Sequence, residues 1–350
     1  MLGVFTDTSS RVGGAEQSIR NWFKGERVKI FSSNLEKLMN IKSTSYDNEI
    51  KYNFNWFNWP LTLRNLRKRI KQHEINKALI NLTIGPIGIG GSLFVKKRIV
   101  NFHTDIEFIE KAIPRVFRGI IRRSLKIICQ KATELITPSK RTREFLINNN
   151  WHDKVTVVSP GVDMKLFKKD VKKRKLTRQR LGVKDDEFLM IDVSRLTLDK
   201  NLPELIKTAN KLVNKKVKLL LVGEGKEEKM LKEIAGSNVI FQGFVPHEEL
   251  VNYYNAADLM THPSSTESLG LSMAEAMACK VPVISNKSKG AMDLVKGAGV
   301  IYKDLEKEVL RLLDDDKERK RIGRKCHSRI KKEHDLEKAK AKIKKVINNL

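Results

Sequence analysis

The sequence predicts an α/β protein made of two Rossmann-like parallel-sheet domains facing a central cleft. Three observations carry that prediction. Short apolar runs of strand length alternate with helical stretches, the pattern of βαβ units. The runs form two series separated by a charged stretch, Phe167 to Arg180, which reads as an interdomain connection. At 350 residues, the chain is long enough for two cores.

In the first series, Leu2–Phe5 and Val28–Ser32 read as strands joined by a helix near Ala15–Phe23. Leu79–Leu82, Ile99–Phe102, Glu134–Thr137 and Val155–Ser159 continue that sheet. The second series is Phe188–Val193, Lys218–Val222, Val239–Phe241, Leu259–His262 and Val281–Ile284. Residues 78–95 carry no charge for 18 residues, close to the length of a membrane span. Gly85-Pro86, Gly88, Gly90 and Gly91 would break a spanning helix, so the run reads as a buried strand followed by a glycine-rich loop. It is not a phosphate-binding P-loop, because Gly91 stands where a Lys is required. Near the end, Leu336, Ala339, Ile343, Val346, Ile347 and Leu350 share one face of an amphipathic helix that must pack on something.

Composition narrows the function classes. Cys129, Cys279 and Cys326 are far apart and show no metal-type or redox-type pairing, which suits a reducing compartment rather than a disulfide framework. The start of the chain runs straight into a strand without a secretory pattern. The expected location is cytoplasmic, with peripheral attachment to the membrane face as an extension. The net charge of +28 is uneven: residues 51–150 hold 20 Lys+Arg against 6 Asp+Glu, and residues 201–300 hold 12 against 11. A basic surface of that size attracts polyanions such as anionic lipid, acidic glycan or nucleic acid. The alternative is that lysine merely solvates helices. No recognised nucleic-acid module appears, which makes a nucleic-acid partner the weaker expectation.

The most informative stretch runs from Thr261 to Ala278. Glu267 and Glu275, separated by seven residues, span a small-residue turn that opens a helix at Gly270. A helix start of that kind offers free N–H donors and a favourable dipole to phosphate. A carboxylate two turns further on can accept bonds from sugar hydroxyls. With Glu-Ser-Leu-Gly-Leu, Glu-Ala-Met-Ala and Val281-Pro282-Val283-Ile284-Ser285 in one run, the segment closely resembles the signature of family-4 retaining glycosyltransferases of the GT-B fold. Gly13-Gly14-Ala15-Glu16 and Ser159-Pro160-Gly161-Val162-Asp163 extend that resemblance in pieces from residue 3 to about 303.

The resemblance implies a division into residues 1–160, an acceptor-binding domain, and 161–335, a nucleotide-sugar-binding domain. It also implies that helix 336–350 crosses back to the first domain. The donor is a UDP- or GDP-linked sugar, and no cofactor is expected. Arg195 and Lys200 resemble the family's pair that stabilises charge on the leaving diphosphate. Gly13 and Gly14 would lie by a donor phosphate, and Phe244 and Val245 would take the base through their backbone. Ser268, Leu269, Gly270 and Leu271 would complete the phosphate-binding turn. Glu267 would hold the sugar hydroxyls, Glu275 those of the ribose, and His103, ending a strand, would meet the transferred sugar or the acceptor. No general base is assigned. With no Asp-x-Asp at a strand end, no metal is expected, and Asp314-Asp315-Asp316 reads as a solvated patch or cap.

For the acceptor, Trp56, Phe57 and Trp59 precede a helix with Leu63, Leu66 and Ile70 on one side. Arg64, Arg67, Lys68, Arg69 and Lys71 surround it, the composition of a surface lying on anionic membrane. A second basic-apolar helix, Pro114 to Lys131, extends the patch. The alternative packs the aromatics in the core. Three readings therefore stand: transfer to a lipid or lipid-linked glycan at a membrane, the same chemistry on a soluble glycan, and a nucleic-acid-binding or DNA-glycosylating protein.

Overall fold

Apolar strands buried on both faces lose backbone hydrogen bonds to water unless they pair, and here they pair in parallel. The computed structural model describes residues 1–6, 14–23, 28–33, 49–52, 59–81, 86–103, 115–265, 267 and 269–350. The chain forms two compact units, Met1–Gly161 with Leu336–Leu350, and Val162–Asp335.

The first unit holds β1 (Leu2–Thr6), β2 (Lys29–Ser33), β3 (Glu49–Tyr52), β4 (Lys77–Asn81), β5 (Lys97–Asn101), β6 (Glu134–Thr137) and β7 (Val155–Val157). They form one sheet in the order β3-β2-β1-β4-β5-β6-β7, all parallel. Side chains alternate between its faces as the two-residue period demands. Phe5, Phe31, Ile80, Val100 and Leu135 enter one core, and Val4, Ile30, Leu79, Ile99 and Ile136 the other. Helix Leu336–Asn348 packs Leu336, Ala339, Ile343 and Val346 into that second core, beside Ile19 and Trp22 of helix Gly14–Phe23.

The glycine-rich segment differs from the loop the sequence predicts: from Pro86 to Phe94 it is a helix. Its glycines serve close packing rather than turning. A Cβ on Gly90 would sit 2.4 Å from Leu66 Cδ2, and one on Gly91 would sit 2.7 Å from the Phe5 ring. Tertiary contact here outweighs the poor helix propensity of glycine. Strand β3 is an element that the sequence reading did not assign. Among the described residues no helix is long and apolar enough to cross a membrane.

The second unit holds β8 (Phe188–Val193), β9 (Val217–Val222), β10 (Val239–Gly243), β11 (Leu259–His262), β12 (Val283–Ser285) and β13 (Val300–Ile301), ordered β10-β9-β8-β11-β12-β13. β13 was also unassigned. The charged stretch read as a connection is built into this unit. Phe167 is buried, and Asp170 caps helix Val171–Arg180 by accepting from Lys173 N–H. Arg178, 2% exposed, donates to Asp258 and to the carbonyls of Ala256, Lys184 and Glu187. Its charge pattern looked like a linker because the partner carboxylate lies 80 residues away. Asp315 does act as a cap, accepting from Glu318 N–H at the start of helix Asp316–Arg329.

Candidate functional site

In an open parallel sheet, ligands gather outside the carboxyl ends of the strands, where the chain direction switches. In the second unit that point lies between β8 and β11, adjacent strands from which β9–β10 and β12–β13 extend on opposite sides. Most of the donor-site residues expected in this unit converge there.

After β8 the chain makes a short turn, Leu198–Lys200, closed by Asn201 in the left-handed conformation (φ 51°). The turn buries Lys200 to 9% exposure and aims its Nζ at Glu267 Oε2, 2.9 Å away. Glu267 follows β11, and its backbone carbonyl accepts from Gly290 N–H at 2.7 Å. Arg195 is more open, 44% exposed, and lies 3.9 Å from Asp199. Asp199 also lies 3.7 Å from Lys200, so one carboxylate spans both cations.

Glycines hold this loop in place from the side. A Cβ on Gly223 would fall 2.0 Å from the Ser194 carbonyl oxygen, and one on Gly225 would fall 2.1 Å from that of Leu196. The Gly-x-Gly pair after β9 is therefore a backbone-packing device for the Arg195 loop. Gly243, at φ 73°, ends β10 and leads into Phe244 and Val245, of which Val245 is 8% exposed. Gly270 (φ 83°) opens helix Leu271–Ala278, preceded by buried Leu269.

Glu275 lies on that helix, 3% exposed. Its Oε1 meets His247 Nε2 at 2.7 Å, and its Oε2 accepts the Tyr254 hydroxyl at 2.9 Å. Each oxygen keeps one further acceptor position. Burial opposes charge on His247, but the neighbouring Glu275 carboxylate outweighs it and raises its pKa. Burial, reinforced by Glu275, raises Tyr254 well above the usual phenol range, which keeps it a donor.

His262, the last residue of β11, was not singled out in the sequence. Its Nδ1 lies 3.2 Å from Asp192 Oδ2 and its Nε2 lies 3.3 Å from Glu267 Oε2. Burial favours the neutral ring, yet hydrogen bonds to Asp192 and Glu267 prevail and push its pKa up to about 9. Burial likewise opposes charge on Glu267, but His262 and Lys200 hold it well below the usual carboxylate range.

In the first unit, Gly14 begins the helix after β1 and His103 follows β5, half-buried, with Nδ1 3.4 Å from the Asn101 carbonyl oxygen. Beneath it, Asn101 donates to Asn81 across the strand ends at 2.7 Å. Gly13, Ser268 and Trp56 lie outside the described residues, as does the Trp59 side chain. Helix Trp59–Gln72 buries Leu66 and Ile70, while Arg64, Arg67, Lys68, Arg69 and Lys71 are exposed.

Two all-parallel units, the second with cations and carboxylates gathered at the ends of its central strands, define a GT-B fold. The chain matches the model "Glycosyltransferase Family 4" over residues 24–166 and "Glycosyl transferases group 1" over 173–329, and it belongs to that family of glycosyltransferases. It is similar to an alpha-monoglucosyldiacylglycerol synthase of Streptococcus pneumoniae, at 26% identity over 86% of this chain and 75% of the relative. It is also similar to a GDP-mannose-dependent phosphatidylinositol monomannoside mannosyltransferase of Corynebacterium glutamicum, at 32% identity over 58% of each. The chain spans only 45% of a third relative, an uncharacterized glycosyltransferase of Methanocaldococcus jannaschii, at 31% identity over 47% of this chain. Among solved structures, Anabaena HepE in complex with UDP and glucose superposes with a TM-score of 0.80 at 21% identity, covering 100% of this chain and 99% of that one.

Proposed function

We propose that the protein transfers a sugar from a nucleoside-diphosphate sugar to an acceptor with retention of anomeric configuration. The observation that carries this is the convergence of Arg195, Lys200 and Glu267 at the ends of β8 and β11, beside the helix start at Gly270. In this reading the diphosphate lies against Arg195 and Lys200, whose charges stabilise the leaving group without a metal ion. The anomeric C–O bond to the diphosphate breaks while the acceptor oxygen bonds to the same face of the sugar. The acceptor proton passes to the departing phosphate oxygen. Glu267 accepts from sugar hydroxyls, Glu275 takes the ribose, and the backbone at Phe244 and Val245 meets the base.

The test is thermal denaturation with UDP, GDP and ADP, on the wild type and on Lys200→Met. At a hundredfold excess over Kd, a bound nucleotide stabilises by about 2.7 kcal/mol. A shift with one nucleotide, diminished in the variant, is the expected result, and no shift with any of them removes the reading. Retention is read from the anomeric coupling constant of the product.

For the acceptor, the favoured class is a lipid or lipid-linked glycan at an anionic membrane surface, with the enzyme peripheral on the cytoplasmic face. Helix Arg115–Gln130 supports this: it contains no acidic residue and leaves Val116 (76%), Ile120 (66%) and Ile127 (42%) exposed among its arginines. The relatives named for glycolipid synthesis agree. Sedimentation with phosphatidylglycerol vesicles is expected to capture the wild type and lose Ile120→Ser with Arg122→Ser and Arg123→Ser. Equal sedimentation with neutral vesicles removes the anionic-surface reading, and no sedimentation with either kind points instead to a soluble glycan.

A further inference from the structure

Two buried charged groups of the second unit have no part in that donor scheme: Asp192 and His262, each 1% exposed. Asp192 is the last residue but one of β8 and His262 ends β11, and the ring of His262 sits between two carboxylates, with Nδ1 3.2 Å from Asp192 and Nε2 3.3 Å from Glu267. A neutral imidazole has one N–H and one lone pair. In either tautomer the lone pair would face a carboxylate oxygen with little water to separate them. Only the imidazolium satisfies both neighbours.

Lys200 meets Glu267 at Oε2, the same oxygen that His262 reaches. Oε1 accepts no hydrogen bond among the described residues, and the Glu267 side chain retains 19% exposure. Both cations thus hold one carboxylate oxygen and leave the other open. We infer that His262 is a positioning residue for the donor sugar: clamped by Asp192, its imidazolium fixes one oxygen of Glu267 so that the other stands ready to accept a sugar hydroxyl. This rests on the donor-site reading above.

The surrounding groups fit that role. Ser194 Oγ donates to Asp192, anchoring the far end of the clamp. Ser285 Oγ donates to the His262 carbonyl, and Thr261 Oγ1 to that of Ile191, so neither hydroxyl competes for the ring. The hydroxyl of Tyr302 is turned to Glu204. The charges that act on the ring are therefore Asp192 and Glu267, then Lys200, then Asp199 and Arg195. With the proton in place, the two cations His262 and Lys200 balance the two carboxylates Asp192 and Glu267. Without it, an uncompensated negative charge stands beside the position of a bound diphosphate. The raised pKa of His262, about 9, agrees with this balance.

The experiment is a pH titration of the full chain, labelled with 15N-histidine, from pH 6 to 10. It is run on the wild type, Asp192→Asn and His262→Gln, with calorimetry of UDP against UDP-glucose and GDP against GDP-mannose. At pH 8 the wild type should show a histidine with both ring nitrogens protonated that His262→Gln lacks. In Asp192→Asn its midpoint should fall by at least about one pH unit. The affinity gained from the sugar should drop at least about tenfold in His262→Gln at pH 7.5, with affinity for the bare nucleotide changing less than about threefold. A neutral His262 at pH 8 overturns the inference, as does an undiminished sugar increment in His262→Gln. Failure of the wild type to bind either nucleotide overturns the donor reading and this role with it, and is told apart because the ring nitrogens still report an imidazolium.

Discussion

Gly223→Ala puts the packing argument for the Arg195 loop at risk. The new methyl would lie 2.0 Å from the Ser194 carbonyl oxygen and 3.0 Å from its carbon, both backbone atoms that no side-chain rotation can move. The two segments are also tied together by Ser194 N–H to Val222 O (3.1 Å) and Leu196 N–H to Glu224 O (3.0 Å), so parting them weakens both bonds. With φ at 140°, the alanine carries backbone strain as well. Strain of about 1 kcal/mol, overpacking of about 1–3 kcal/mol and two hydrogen bonds weakened by roughly 0.5 kcal/mol each give about 3–5 kcal/mol. For a unit of this size that lowers Tm by about 10 °C. Gly182→Ala is the control: its φ of 64° imposes the strain, but nothing lies within 4 Å of the added Cβ, so about 2–4 °C is expected. Differential scanning calorimetry reads both, and nucleotide affinity should fall only in Gly223→Ala, because only there does the loop carrying Arg195 and Lys200 move. Equal Tm losses in the two variants would refute the reasoning.

Three further outcomes are expected. His262 has a raised folded-state pKa, so its stabilisation is complete below the unfolded value of 6.5 and is lost as pH rises through about 9. Urea denaturation should show roughly 3 kcal/mol lost from the second unit across that window. Glu267 has a lowered one, so stability should also fall as pH drops below 4.5. Arg178→Met leaves Asp258 and three carbonyls short of a buried donor and should cost about 3 kcal/mol or more, read from the denaturant midpoint. Arg195→Ala should leave stability within about 0.5 kcal/mol, since the side chain is 44% exposed. In steady-state kinetics kcat should fall on the order of 100-fold, more than nucleotide affinity, because the diphosphate gains charge as the bond breaks.

The fold was legible because parallel strands buried on both faces must be apolar throughout, and nearly every such run became a strand. The exceptions have local causes. Glu49–Tyr52 is an edge strand of the first sheet, paired only with β2, and its Glu-Ile-Lys-Tyr sequence carries no continuous apolar signal. Gly88, Gly90 and Gly91 looked like loop residues because propensity is read without neighbours. What admits Gly90 and Gly91 to a helix is the approach of Leu66 and Phe5, residues far apart in sequence. Arg174 and Arg178 were read as part of a linker for the same reason, since only the fold brings Asp258 against them.

The candidate site was legible where the backbone dictates the residue and obscure where chemistry depends on a distant partner. Gly270 and Gly243 stand at positive φ, and Gly223 and Gly225 at backbone contacts that exclude a Cβ, so glycine there is a local requirement that a sequence displays. A histidine displays nothing of the kind: both nitrogens of His262 acquire their meaning from carboxylates, one of them 70 residues away. His103 and His262 both read as lying at the ends of strands in the sequence and were indistinguishable by position. The structure shows what the sequence could not: His262 meets two acids. A ring held between two acids must carry charge. On that ground His262 belongs to the electrostatics around Glu267 as firmly as Lys200 does.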